Sequence, residues 1–136
     1  MKRKLCLILS CILLLVAIIP TSVLASDVSL YNNNTMRNYT EFSITDSGEA
    51  CVTYQYVGYE NITTGAEITI KIEKRNFLFF WTNVVEETFV VTGERYNDIY
   101  IYQLSKTGTY RCTVTYRVSG NGGADDVITF EDTATY

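Results

Sequence analysis

Beyond position 40 the apolar residues of this chain recur at every second position. Tyr110, Cys112, Val114, Tyr116 and Val118 form one row, and Arg111, Thr113, Thr115 and Arg117 form the other. A period of two is that of a strand with one buried and one wet face. Ile68, Ile70 and Ile72 alternate in the same way with Thr69, Lys71 and Glu73. Segments 50–57, 77–85, 87–92, 98–104 and 126–131 are rich in Val, Ile, Thr, Tyr and Phe and read as further strands. Turn residues separate them at 46–48, 63–65, 92–94, 106–108 and 120–123. No stretch after the first 25 residues combines a 3.6-residue period with helix caps. The pattern predicts an all-β domain over 41–136, an antiparallel sandwich of two sheets. A polar arm over 26–40, with Asn32, Asn33 and Asn34, precedes it.

The first 25 residues break this pattern. Lys2, Arg3 and Lys4 are followed by an apolar run from Leu5 to Ile19, then Pro20 and the small-residue segment Val23-Leu24-Ala25. A basic head, a short apolar stretch and small residues at its end are the marks of a signal peptide cleaved after Ala25. As a helix the run would rise about 22 Å, short of the roughly 30 Å of a bilayer's hydrocarbon core, which disfavours a membrane anchor. A lipoprotein modified at Cys11 is also disfavoured, because the apolar run continues past that cysteine. The expected location is extracellular, with no stable membrane insertion of the mature chain.

Processing changes the charge. Eight of eleven basic residues but all fifteen acidic ones lie after position 25, leaving a net charge of −7. That balance argues against nucleic acid, which needs clustered Lys and Arg, and equally against electrostatic attachment to an anionic membrane. The chain has no histidine, which removes Ser-His-Asp and Cys-His nucleophiles and imidazole-ligated zinc. Glu86 and Glu87 could be a carboxylate pair, but neighbours on a strand point to opposite faces and cannot flank one bond. An enzyme is not expected, and no cofactor is implied. Asp125 and Asp126, after Gly122 and Gly123, are a weak calcium candidate, lacking the spaced ligands of a dedicated loop.

Two of the four cysteines fall in the signal segment, leaving Cys51 and Cys112. An even pair in an exported chain reads as a disulfide, and closing the loop between them would contribute about 4 kcal/mol. The alternative is two buried thiols packed as small apolar groups.

Gly108-Thr109-Tyr110-Arg111-Cys112 resembles the Gly-x-Tyr-x-Cys signature of immunoglobulin-like domains, with tyrosine two positions before the second cysteine. The separation of Cys51 from Cys112 is similar to that of the inter-sheet bridge in those domains. The resemblance implies an immunoglobulin-like sandwich. The sequence departs from it in two places: Trp81 lies far beyond the position expected after the first cysteine, and Lys106 stands where an acidic residue is usual. Segments 63–66, 71–75, 107–111 and 122–126 also resemble those of small exported proteins of Gram-positive gut bacteria, a likeness that implies no activity.

The aromatic residues are the best pointer to function. Phe77-Leu78-Phe79-Phe80-Trp81 is apolar on both faces of any strand, so one row joins the core and the other is left over. Phe77, Phe79 and Trp81 are expected to be the outer row and a binding patch, since aromatic anchors dominate interfaces. Cover by the N-terminal arm or by the chain end is the alternative. Tyr54, Tyr56, Tyr100 and Tyr102 form a second group on neighbouring strands, and Tyr54 and Tyr56 point outward if Cys51 points inward. They read as a cross-strand ladder or as a platform for stacking sugars. The expected function is therefore a secreted, non-catalytic module that recognises a protein. A carbohydrate-binding module, or a subunit assembling through sheet edges with residues 26–40 exchanged, are the alternatives.

Overall fold

The computed structural model describes residues 32–136, so the expected signal peptide and the start of the arm lie outside the described residues. Seven strands follow in order: β1 (Thr35–Ile44), β2 (Glu49–Gly58), β3 (Thr63–Arg75), β4 (Trp81–Thr92), β5 (Arg95–Gln103), β6 (Thr109–Gly120) and β7 (Asp126–Thr135). They form two antiparallel sheets, β1-β2-β5 and β4-β3-β6-β7, packed as a sandwich.

The two cleanest alternating segments occupy the middle of the larger sheet. β3 and β6 pair with Ile68 opposite Tyr116, Ile70 opposite Val114 and Ile72 opposite Cys112, and all six are fully buried. From the facing sheet β2 contributes Ala50, Val52, Tyr54 and Tyr56. Burying side chains of this size stabilises the fold by about 1.5–3 kcal/mol each.

The facing of β2 corrects two expectations. The rows on this strand are Ala50, Val52, Tyr54 and Tyr56 against Cys51, Thr53, Gln55 and Val57. Turning the second row inward would bury an amide and a hydroxyl in place of two aromatic rings, and unpaired buried polar groups are costly. The first row therefore takes the core. Cys51 points away from it and stays half-exposed, while Cys112 is buried, and both thiols are free. The expected Cys51–Cys112 bridge is absent because its two sulfurs face opposite sides of the β1-β2-β5 sheet. By the same alternation Tyr54 and Tyr56 point inward, not outward.

Three of the buried tyrosines have an acceptor for the hydroxyl. Tyr116 donates to the Tyr39 carbonyl at 3.1 Å and accepts from the Thr40 hydroxyl at 2.6 Å. Tyr56 donates to the Gly93 carbonyl at 2.7 Å, and Tyr110 reaches back to the Lys106 carbonyl. The polar ends are satisfied, so burial of the rings is not opposed by a stranded hydroxyl.

The strands also depart from expectation at their ends. β1 begins at Thr35, so the last six positions assigned to the arm belong to an edge strand. The arm's polar residues are used as a latch. The Asp126 carboxylate accepts the backbone N–H of Asn33 at 2.7 Å and of Asn34 at 2.8 Å. The buried Asn34 side chain donates to the carbonyls of Val118 and Ala124 and accepts from Gly122 N–H. Gly122 is needed there, because a Cβ would overlap the Asn33 carbonyl oxygen. The expected turn at 63–65 lies earlier, where the N–H groups of Ile62 and Thr63 both donate to the Tyr59 carbonyl. Finally, 77–85 and 87–92 are not two strands. β4 is continuous from Trp81 to Thr92, with a bulge opposite Ile72 and Glu73.

Candidate functional site at the β3–β4 hairpin

Strand pairing between β3 and β4 ends at Arg75 opposite Trp81. The five residues between them must reverse the chain. Asn76 closes the turn, its N–H donating to the Phe80 carbonyl at 2.7 Å and its side-chain amide to the Thr82 hydroxyl. Phe77–Phe79 make a single 3₁₀ turn, and Phe79 lies in the left-handed region with φ of 79°. A bulky residue there costs on the order of 1–2 kcal/mol, a strain that natural chains hold mainly where function requires it.

This overturns the strand reading of 77–81. Alternation does not apply inside a turn, so the expected split into a core row and an outer row does not occur. Phe77 is 86% exposed, Phe79 77% and Phe80 72%. Phe80, expected inside, belongs to the exposed group. Trp81, expected outside, is half-buried at the foot of the hairpin, where the Arg111 guanidinium lies over its ring at 4.6 Å.

The charged residues beneath the tip are organised. Glu73 is nearly buried on β3 and accepts from Arg111 Nε at 3.0 Å and from its terminal nitrogen at 2.7 Å. Lys71 reaches the other carboxylate oxygen at 2.9 Å. Burial alone would raise the pKa of Glu73, but these hydrogen bonds and charges outweigh it and hold the carboxyl below its ordinary value. Glu73 thereby fixes the Arg111 side chain that lies against Trp81. Arg111 also lies 3.7 Å from Glu131, and the Arg75 guanidinium sits 5.9 Å from the Phe79 ring. The result is an apolar tip above a collar of Lys74 and Arg75, with Arg111 and Lys71 farther from it along the sheet.

The other candidate groups have different fates. Tyr54 and Tyr56 are buried; Tyr100 and Tyr102 are half-buried on the inner side of β5, where Tyr100 donates to Glu87 at 3.2 Å. Tyr54 and Phe89 stack at 6.2 Å, and Phe89 meets Tyr100 edge-on at 5.9 Å. These rings fill the sandwich and present no sugar platform. Asp126 is committed to the latch, and Asp125 lies 3.9 Å from Arg117, so the pair does not converge on a cation. Glu86 falls on the outer face opposite Lys71, and Glu87 turns inward to Tyr100. Two depressions, of about 180 and 300 Å³, lie away from the hairpin, beside Tyr56 and Arg95 and beside Gly65 and Val90.

Sequence reasoning missed Phe80, Glu73 and Arg111 as parts of this region. Asn76, a turn-former directly after the charged run Lys74-Arg75, was the available signal that the strand ends before the phenylalanines. Compared with known proteins, the chain matches no family model, no curated protein and no solved structure.

Proposed function

We propose that this chain is an exported, non-catalytic interaction module of the immunoglobulin-like type that engages its partner through the β3–β4 hairpin tip. The strand order, three strands facing four, supports the immunoglobulin-like reading, as does the Tyr110 hydroxyl bonded to a backbone carbonyl just upstream. On this reading Tyr110 acts as a corner tyrosine without the inter-sheet bridge that accompanies it in many such domains.

The observation that carries the functional reading is the joint exposure of Phe77, Phe79 and Phe80 at the tip of one hairpin. Apolar side chains gathered on an exposed projection mark an interaction site more often than isolated surface leucines do. The rival readings have less support. The sugar-stacking tyrosines are internal. Assembly by edge-strand addition meets an obstacle on each of the four edges. β1 and β4 lie at register shifts; on β5 and β7, Asp98 and Asp132 each occupy the next residue's N–H, at 2.8 and 2.7 Å.

A photo-crosslinking side chain placed at Phe79, with the same side chain at Val127 as control, tests the reading on the exported protein in its native medium and on producing cells. Both positions are exposed. Adducts that form at 79 and not at 127 are expected. Equal labelling at the two positions, or none at 79, would overturn it.

A further inference from the structure

Resting on the proposal that the hairpin tip is the binding element, we infer that its partner is a lipid surface bearing anionic headgroups. Three features of the tip select this occupant. The first is shape. Phe77, Phe79 and Phe80 are exposed together on a convex turn that projects past the last strand pair. A flat protein surface buries one row of such a turn, whereas the acyl region of a bilayer closes around a projection on all sides.

The second feature is the order of chemistries along the hairpin. Phenylalanines occupy the tip. Trp81 stands one step down, half-buried with Arg111 over its ring. Arg75 pairs with Trp81 at this level, and Lys74 is the next residue down β3. An apolar end, then an amphipathic indole, then cations, is the sequence of environments met from acyl chain to headgroup. Trp81 keeps a polar N–H that suits that boundary.

Charge is the third. The domain is acidic overall, but Lys74 and Arg75 stand next to the tip without a salt bridge among the described residues. Lys71 and Arg111, farther down, are engaged by Glu73 and Glu131, and Glu86 lies opposite Lys71. Anionic lipid headgroups complement this collar, and basic residues close to such a surface each strengthen attachment. The distribution alters what net charge alone implies: the molecule as a whole is repelled, and one end is attracted. Contact of this kind is peripheral, an end resting in the interface.

Trp81 is the chain's single tryptophan and reports on the contact directly. The experiment uses the processed chain from Ser26 with vesicles of phosphatidylcholine alone and of phosphatidylcholine mixed equally with phosphatidylglycerol, followed by co-sedimentation and by Trp81 emission. Sedimentation with the mixed vesicles and a blue shift of Trp81 are expected, both weakening as salt is added. Phe79→Ser combined with Phe80→Ser should lower partitioning at least about tenfold. Arg75→Glu should lower it about tenfold on mixed vesicles and little on neutral ones. The β-sheet circular dichroism of each variant shows whether it folds. Equal affinity for both vesicle types, or binding that survives the phenylalanine substitutions, would overturn the inference. So would absence of binding while crosslinks at position 79 go to a protein, which leaves the interaction-module reading standing. No vesicle binding and no crosslinks at 79 would remove both.

Discussion

Two groups of aromatic residues in this molecule have opposite fates, and hydropathy alone would assign them the wrong way round. Tyr54, Tyr56, Tyr110 and Tyr116 carry hydroxyls and are buried. Phe77, Phe79 and Phe80 carry none and are among its most exposed side chains. The tyrosines sit on central strands, with a second sheet facing their row, and three of them have a backbone carbonyl to receive the hydroxyl proton. The phenylalanines sit past the last paired residues of a hairpin, where no layer faces them. Burial is decided by place in the ladder before it is decided by residue type. Apolar residues outside the ladder stay exposed until something beyond the chain covers them.

The largest test of this contrast is alkaline titration. Burial first, and then the nearby Glu87, pushes the Tyr100 phenol up to about 12 from an ordinary value of 10.0. Burial likewise raises Tyr54, Tyr56, Tyr110 and Tyr116, and with Asp132 nearby it pushes the Cys112 thiol up to about 12 from 9.0. Each of these groups keeps its proton in the fold at a pH where the unfolded chain has lost it. Their stabilisation is therefore complete below about pH 9 and falls as pH rises toward 12. The β-sheet circular dichroism should collapse in that window, together with a cooperative rise in phenolate absorbance. Serine variants of the tip phenylalanines should follow the same curve, since no titratable group is removed. Phenols that ionise at the ordinary value in an intact fold would break the contrast.

Next in size is a single ring. Tyr116→Ala should cost about 3–5 kcal/mol in denaturant unfolding, as for other large aromatics removed from cores. Tyr116→Phe keeps the packing and loses the hydroxyl shared by Thr40 and Tyr39, at about 1–2 kcal/mol. A full-sized loss from Tyr116→Phe would mean that the hydrogen bonds, not the ring, hold the β1 edge to the core.

How much of this is legible before folding differs between the two regions. The alternation in 68–72 and 110–118 names the central strands and their inward rows, because a period of two has one physical meaning. On β2 the rows were ambiguous. Fixing the face from Cys51 instead of from the bulk of Val52, Tyr54 and Tyr56 inverted the whole strand, the consequence of a one-residue slip. The β1 strand was hidden because only Phe42 and Ile44 of its residues are large, apolar and inward-facing, as on many edge strands. The tip was hidden for a different reason. A run of five apolar residues looks like buried strand, and the turn is enforced by Asn76 and by pairing that ends at Arg75, which no periodicity reports.

The two cysteines sharpen the facing of β2 with a smaller effect. Cys51 should react with a maleimide in the native protein, and Cys112 only on unfolding, whether or not reductant is present. Cys112→Ser should cost about 1–3 kcal/mol by burying a hydroxyl, and Cys51→Ser within about 0.5 kcal/mol. Intact-mass measurement showing a bridge would require β2 to turn over and expose Tyr54 and Tyr56. The buried half of the contrast would then fail.

The smallest expected effect is at the tip itself. Replacing Phe77, Phe79 or Phe80 by Ser removes a ring that touches little of the fold, so each change should stay within about 0.5 kcal/mol in denaturant unfolding. Phe79 offers a sharper version. Its φ of 79° lies where a side chain is strained and glycine is not. Relief of roughly 1–2 kcal/mol is opposed by the 0.5–1 kcal/mol that glycine's extra freedom costs. Phe79→Gly should thus leave stability unchanged or raise it slightly, the reverse of every substitution in the core. A loss above about 1 kcal/mol would show that the tip is packed against something in the free protein, either its own chain or a second copy. Repeating the measurement across a range of protein concentrations separates those two, because only cover by a second copy grows with concentration.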